Sequence, residues 1–386
     1  MITPFGLRHI GLMRGLQNAS VELDPKSALL GELPRPLQAA LRGYFLKSSW
    51  GSFTYVARAF DHPNYLWGFA QARGEQSGRV WRVVRMAPHL DHSEDVATIW
   101  YRLLLHLCIA AGESQVQRLF ACLREGSAAE DVFRQASFVV YCHERVFCRP
   151  PRPPDGETWP RPPDGETWPR PPDGETWPRP PDGETWPRPP DGETWPRLPE
   201  GETGTDEATG QLSPRIQPVQ SDDCSDVWHL WYKATPRPVL QTEELDNSRG
   251  APLLFDALGS DAGQAHVLRS RGGQTLGCLH LLSRPRGAWL RLIWDPNAPR
   301  CAAEMLDHGL ALLADHSQPT YCAVREYEGG MQAVLEERGF VPADTYSLLV
   351  KHTTVRVREP RRRLVPAFEK RVEITPTVSR SETGDH

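Results

Sequence analysis

Arg152-Pro153-Pro154-Asp155-Gly156-Glu157-Thr158-Trp159-Pro160 is the first of five identical nonapeptides that run without a break to Pro196. A sixth copy begins at Arg197 and decays into Leu198-Pro199-Glu200-Gly201-Glu202-Thr203-Gly204. Three prolines per copy remove N–H groups that a helix or a sheet ladder needs. The Pro-Pro pair favours polyproline II, and Asp-Gly favours a turn. One Arg against one Asp and one Glu leaves a negative balance on each copy, so neighbouring copies repel. Fully extended, the array reaches ~140 Å at ~3.1 Å per residue. These features predict a disordered linker over 149–225. Two functional readings stand beside it. Pro160 to Pro163 fits a ligand for an aromatic-lined groove. A calcium-binding β-roll of nine-residue turns is disfavoured, because each copy holds a single glycine.

Outside the array lie two apolar, periodically patterned units, 1–148 and 226–357, followed by a tail at 358–386. Each unit has the size of one small domain with a core of its own. A net charge of −5 over 386 residues argues against nucleic-acid binding. The one basic run, Arg361-Arg362-Arg363, falls in the tail and reads as solvated. Eight cysteines occur without any C-x-x-C pair, so neither a metal box nor a disulfide framework is predicted. His89, Asp91, His92 and His106 are too irregularly spaced to make a metal site. No apolar block of signal-peptide type opens the chain, and no run of 18 apolar residues occurs. The expectation is a cytoplasmic protein without membrane contact.

Both units show the same order of elements. In the first, strands are predicted at Phe53–Ala57, Leu66–Ala72 and Val80–Met86, then a helix at Glu94–Ala111. A strand at Val116–Leu123, a helix at Ala128–Ala136 and strands at Phe138–Tyr141 and Glu144–Phe147 close it. Short helices precede these at Leu7–Gln17 and Leu37–Phe45. In the second, a poorly patterned start at Val227–Leu245 leads to strands at His266–Arg269, Thr275–Leu282 and Ala288–Trp294. A helix at Cys301–Asp315, a strand at Thr320–Val324, a helix at Gly330–Arg338 and strands at Tyr346–Lys351 and Thr353–Val357 follow. Strands in runs and then β-α-β-α-β indicate an α+β class, a sheet with helices on its faces. Alternation on the strand at Tyr141-Cys142-His143 places Tyr141 and His143 on one face and Cys142 on the other.

Two stretches in each unit carry a family resemblance. Leu292-Ile293-Trp294-Asp295-Pro296 enters a helix in the second unit, and Val334-Leu335-Glu336-Glu337-Arg338-Gly339-Phe340 ends one. Val84-Arg85-Met86-Ala87-Pro88 and Val132-Phe133-Arg134-Gln135-Ala136-Ser137-Phe138 hold the same places in the first. The chain resembles the GNAT acyl-CoA N-acyltransferase superfamily twice over, which implies two tandem GNAT-like domains free to pack on each other. It also implies acetyl-CoA as the acyl donor, with Met86 and Ile293 offering backbone amides to the pantetheine arm. Ser93 and Cys301 then lie at the pyrophosphate loop.

Departures from the family pattern bear on activity. The family's loop is glycine-rich so that helix N–H groups can approach the pyrophosphate. Here its glycine positions hold His92, Glu94 and Val96 in one unit and Arg300, Ala302 and Glu304 in the other. Phe133 and Leu335 stand where the family carries its general-acid tyrosine, and Gly126 and Glu328 where it often carries an asparagine. Glu326 and Tyr141 are the remaining catalytic candidates, and no metal is implied. The reading is an N-acetyltransferase-like protein that is weakly active or catalytically degenerate. The alternative is an active acetyl-CoA-dependent N-acyltransferase; the partner is an unidentified amine acceptor or another protein.

Overall fold

The computed structural model describes residues 1–46, 51–58, 67–74, 78–93, 95–151, 215–243, 263–314 and 316–353. The nonapeptide array, the tail and the strand expected at Thr353–Val357, beyond its first residue, lie outside them, whereas the end of the linker expected over 149–225 is corrected: it holds a strand at Arg215–Pro218 and the start of a helix at Cys224.

In the first half, β1 (Ile2–Pro4) leads to α1 (Ile10–Leu16), β2 (Val21–Glu22), α2 (Pro25–Leu30) and α3 (Pro36–Leu46). Then come β3 (Ser52–Arg58), β4 (Trp67–Gly74), β5 (Val80–Ala87), α4 (Asp95–Glu113), β6 (Arg118–Arg124), α5 (Ala128–Gln135) and β7 (Val139–Arg149). The second half runs β8 (Arg215–Pro218), α6 (Cys224–Ala234), α7 (Arg237–Glu243), β9 (Gly263–Arg269), β10 (Thr275–Arg284) and β11 (Gly287–Trp294). It ends with α8 (Arg300–Leu312), β12 (Thr320–Arg325), α9 (Met331–Glu336) and β13 (Val341–His352). The α+β class and the repeated order agree with the sequence pattern. The two short closing strands expected in the first half are instead one long strand, β7, and the strand expected at Tyr346–Lys351 begins earlier, as β13.

All strands join in one sheet, ordered β1-β3-β4-β5-β6-β13-β7-β12-β11-β10-β9-β8, with β2 on the side of β5. The last strand of each half is exchanged. β13 pairs with β6 of the first half, β7 pairs with β12 of the second, and the two pair with each other at the centre. The sheet therefore does not divide where the sequence halves do.

Local chemistry accounts for the elements. α4 repeats apolar residues at Val96, Ile99, Trp100, Leu103, Leu104, Leu107, Ala110 and Ala111, all buried against the sheet. Its 19 residues have the length and apolarity of a membrane span, but that stripe faces core. Asp24 caps α2 by accepting from the Ser27 amide at 3.3 Å, Pro25 opens it, and Gly31 (φ 68°) stops it in the left-handed region. A two-residue turn at Pro285-Arg286 joins β10 to β11.

Neighbouring strand residues alternate faces. Leu279 and Leu292 pack with Met305 of α8, while Cys278 and Ile293 pack with Val227 and Trp231 of α6. The α6 face also carries two helices that cross between halves. Leu30 of α2 lies against Leu282 and Trp289 of the second half, and Val239 of α7 lies against Cys122 and Cys142 of the first. Arg118 of β6 donates to the Thr242 carbonyl of α7 at 2.6 Å.

Candidate functional site

In each half two parallel neighbours start together and then part. β5 pairs with β6 only at Val80–Arg82, and β11 pairs with β12 only at Ala288–Leu290. Beyond those residues each strand presents a bare backbone edge to a wedge-shaped cleft. What enters the wedge differs between the halves.

In the first half, β2 enters it. Val21 pairs with Met86 and Glu22 with Arg85, and the Leu23 amide donates to the Val84 carbonyl at 3.0 Å. Antiparallel ladders alternate bonded and non-bonded pairs, so Val21–Met86 is the next bonded pair along. The Met86 amide points into the cleft, and the chain's own strand has taken it. Arg85 holds β2 further by an ion pair to Glu22, and also donates to the Pro34 carbonyl, ahead of α3, at 3.0 Å.

In the second half, no strand among the described residues occupies the wedge. The Asp295 amide donates to the Leu276 carbonyl at 2.8 Å, making that a bonded pair. By the same alternation Ile293 bonds Cys278 on β10, and the backbone groups facing the cleft belong to Leu292 and Trp294. The expectation for Ile293 is corrected by one residue: its amide serves the sheet, and its side chain packs on α6. A cavity of about 200 Å3 lies here, lined by Ala234, Ile293, Trp294, Pro299, Tyr327 and Glu328 among others. Small-molecule pockets commonly measure ~300–1,000 Å3, so this one suits the end of a ligand arm rather than a whole coenzyme.

The helix beginnings that follow are largely self-satisfied. At α8 the Cys301 amide donates to Ala298 at 3.0 Å and the Ala302 amide to Pro299 at 3.2 Å; Pro299 has no N–H to give. Ahead of α4 the Val96 amide donates to the Ser93 carbonyl at 3.1 Å and the His92 amide to His89 at 3.1 Å. Ser93 keeps a buried hydroxyl without a partner. Cys301 is buried, and burial pushes its thiol above the ordinary range, which makes it a packing residue rather than a nucleophile.

Charged residues crowd the sheet beside the cavity. Arg291, from the middle of the apolar strand β11, forks onto Glu328 (Nη1 to Oε2, 2.7 Å) and donates to the Ala323 carbonyl at 2.8 Å. Arg325 meets Glu243 of α7 (Nη2 to Oε1, 2.8 Å) and donates from Nη1 to the Tyr327 hydroxyl at 3.1 Å. Glu144, on the exchanged strand β7, lies 3.7 Å from the Arg325 Nε. Burial raises the Glu144 carboxyl above its usual range, with the Arg291 and Arg325 cations pulling the other way.

Of the two catalytic candidates, neither lines the cavity. Glu326 is exposed, and its amide donates to the His143 carbonyl at 3.0 Å. Tyr141 is enclosed against Phe120 and donates its hydroxyl to Glu243 at 3.0 Å. Burial, then the Glu243 charge, holds its phenol well above the ordinary value. Tyr141 and Cys142 do not face opposite ways as expected: a bulge opposite Leu348 and Leu349 brings both into one cluster with Cys122. Burial pushes the Cys142 thiol up to about 12. Among the described residues no three metal-ligating side chains come together.

Sequence reasoning missed Arg291, Glu243 and Tyr327, quoted Trp294 only within a motif, and named Glu328 only as a departure from the family's asparagine. One signal was available. A buried guanidinium requires a carboxylate partner, and Arg291 interrupts the otherwise apolar stretch Ala288–Trp294.

The chain resembles GNAT N-acetyltransferases, a tandem protein among them. That tandem GNAT protein, from the clavulanic acid biosynthesis pathway, matches 91% of this chain and 98% of its own at 12% identity and TM-score 0.48. A GCN5-related N-acetyltransferase from Sphaerobacter thermophilus matches 91% and 95% at 11% identity and TM-score 0.44. A GNAT-family acetyltransferase from Colwellia psychrerythraea matches 92% and 100% at 10% identity and TM-score 0.38. No protein-family model and no curated protein matches the chain.

Proposed function

We propose that this chain is an N-acetyltransferase-like protein in which only the second half keeps a cleft for the acyl end of an acyl-CoA, and in which acyl transfer is weak or lost. The unpaired edge of β11 beside the cavity carries the reading, set against the edge of β5 that β2 covers. Acetyl-CoA would supply the thioester. Leu292 and Trp294 would offer backbone groups to its arm, and the cavity would enclose the acyl end. Weak transfer follows from the beginning of α8, where Pro299 and the committed amides of Cys301 and Ala302 leave little to grip a pyrophosphate.

Thermal melts with acetyl-CoA test this. Ligand at about 100 times its Kd stabilises by ~2.7 kcal/mol. Ala234→Trp, which fills the cavity, is expected to abolish the shift, while Ser93→Trp in the first half leaves it intact. No shift up to millimolar acetyl-CoA would end the proposal.

One observation favours the alternative, an active N-acyltransferase. Tyr327 lines the cavity, and burial raises its phenol above the ordinary value despite the Arg325 cation, so it is protonated at neutral pH. Tyr327 would then give its proton to the departing sulfur as the amine nitrogen bonds the thioester carbon and releases its own proton to water. On that reading Tyr327→Phe slows thiol release ~100-fold or more, at unchanged acetyl-CoA affinity. Equal rates in the variant and the parent would dismiss Tyr327.

A further inference from the structure

The first half lends the second a strand, and that strand reaches the cavity through a chain of hydrogen bonds. We propose that Tyr141, on β7, is a positioning residue that sets the Tyr327 phenol through Glu243 and Arg325. The inference rests on the reading that the second cleft is the ligand site, and it explains why a first half with a filled cleft is built into the same sheet.

Each link is a specific contact. Tyr141 donates its hydroxyl to Glu243 Oε1 at 3.0 Å. Glu243 holds Arg325 at two points, Oε1 to Nη2 at 2.8 Å and Oε2 to Nη1 at 3.0 Å. Such a forked pair fixes the guanidinium plane as well as its place. Arg325 Nη1 then donates to the Tyr327 hydroxyl oxygen at 3.1 Å. With its oxygen accepting there, Tyr327 keeps its own hydrogen for another partner, and the cavity is what that residue lines.

The Glu243 side chain is 2% exposed and that of Arg325 10%. Water therefore does little to hold either in place, and their mutual geometry depends on protein partners. Tyr141 and Glu144 are those partners from the first half: one donates to Glu243, the other faces the Arg325 Nε. Tyr141→Phe removes a single hydroxyl and keeps the ring that packs edge-on against Phe120, 5.8 Å between centroids. It is thus a probe of the link rather than of the core.

The experiment uses the full chain labelled with 13Cζ-tyrosine, which reports the hydrogen bonding of each phenol. The Tyr327 resonance is assigned by its loss in Tyr327→Phe. Tyr141→Phe is expected to move the Tyr327 resonance, and Tyr55→Phe, elsewhere in the core, is expected to leave it in place. Glu243→Gln gives the same reading independently, because it strips Arg325 of its carboxylate, and is expected to move Tyr327 at least as far. A Tyr327 resonance unmoved in Tyr141→Phe or in Glu243→Gln would overturn the proposal. Adding acetyl-CoA to the parent protein separates the two inferences. A Tyr327 resonance indifferent to saturating ligand refutes the site reading, whereas the variant shifts judge the coupling by themselves. Where thiol release is measurable, Tyr141→Phe lowers kcat with the KM for acetyl-CoA unchanged. A loss of packing alone would lower the melting temperature without that split.

Discussion

The two clefts of this sheet start from the same backbone plan and finish differently. In the first half, two residues of β2 complete the ladder of β5, so hydrogen-bonding groups that could meet a ligand are spent within the fold. In the second, the edge of β11 faces a cavity, and the gap between strands is braced by a side chain, Arg291, which reaches the Ala323 carbonyl of β12 and Glu328 just beyond it. A backbone brace seals a cleft, whereas a side-chain brace leaves space beside itself. Two halves with the same order of elements thus end differently: one cleft is filled by its own strand, and the other lies beside side chains that residues of β7 contact.

The largest expected effect tests whether the halves are one folding unit. Ending the chain at Phe340 removes β13 and with it the ladders to both β6 and β7. The loss is expected to exceed the whole ~5–15 kcal/mol stability of a typical domain, seen as no cooperative melt by circular dichroism. A first half that still melts cooperatively would restore the picture of independent domains.

Next come the braces themselves. Arg291→Met leaves Glu328 charged and without its guanidinium where both side chains are about one-tenth exposed. A cost of ~3–5 kcal/mol is expected in urea unfolding. Glu22→Gln at the first cleft should cost ~1 kcal/mol or less, because Glu22 is about one-third exposed and β2 is also held by its backbone. Equal costs would erase the distinction between the two kinds of brace.

The second half also carries an acid-sensitive residue. His280 is buried with an unpartnered Nε2; burial, and secondly the Lys26 charge, lowers its imidazole to about 4. The unfolded chain takes up that proton near pH 6.5 and the folded chain does not, so stability is full above pH 6.5 and falls as pH drops toward 4. The loss amounts to ~3 kcal/mol at ~1.4 kcal/mol per unit. His280→Leu should flatten that part of the pH profile, and an unchanged profile would assign the acid sensitivity elsewhere.

The smallest effect concerns the connection between halves. Deleting 152–196 shortens the segment between β7 and β8 and should stabilise by only ~1 kcal/mol, from reduced closure entropy. A large loss on deletion would show that the array takes part in the fold.

Much of the architecture is readable from residues alone. Apolar repeats at the helical period mark α4 and α8, because periodicity depends on neighbours a few residues away; α2, too short to show a period, was not expected although Asp24, Pro25 and Gly31 bound it. The missing glycines ahead of α8 are equally local, and they carry the expectation of weak transfer. The exchange of β7 and β13, the strand that fills the first cleft and the fork of Arg325 onto Glu243 were settled only in three dimensions. Each joins residues far apart in the chain, and a strand's apolar pattern says that it will pair without saying with which neighbour. The one-residue correction from Ile293 to Trp294 has the same origin: which edge an amide faces is fixed by the register of the adjoining strand.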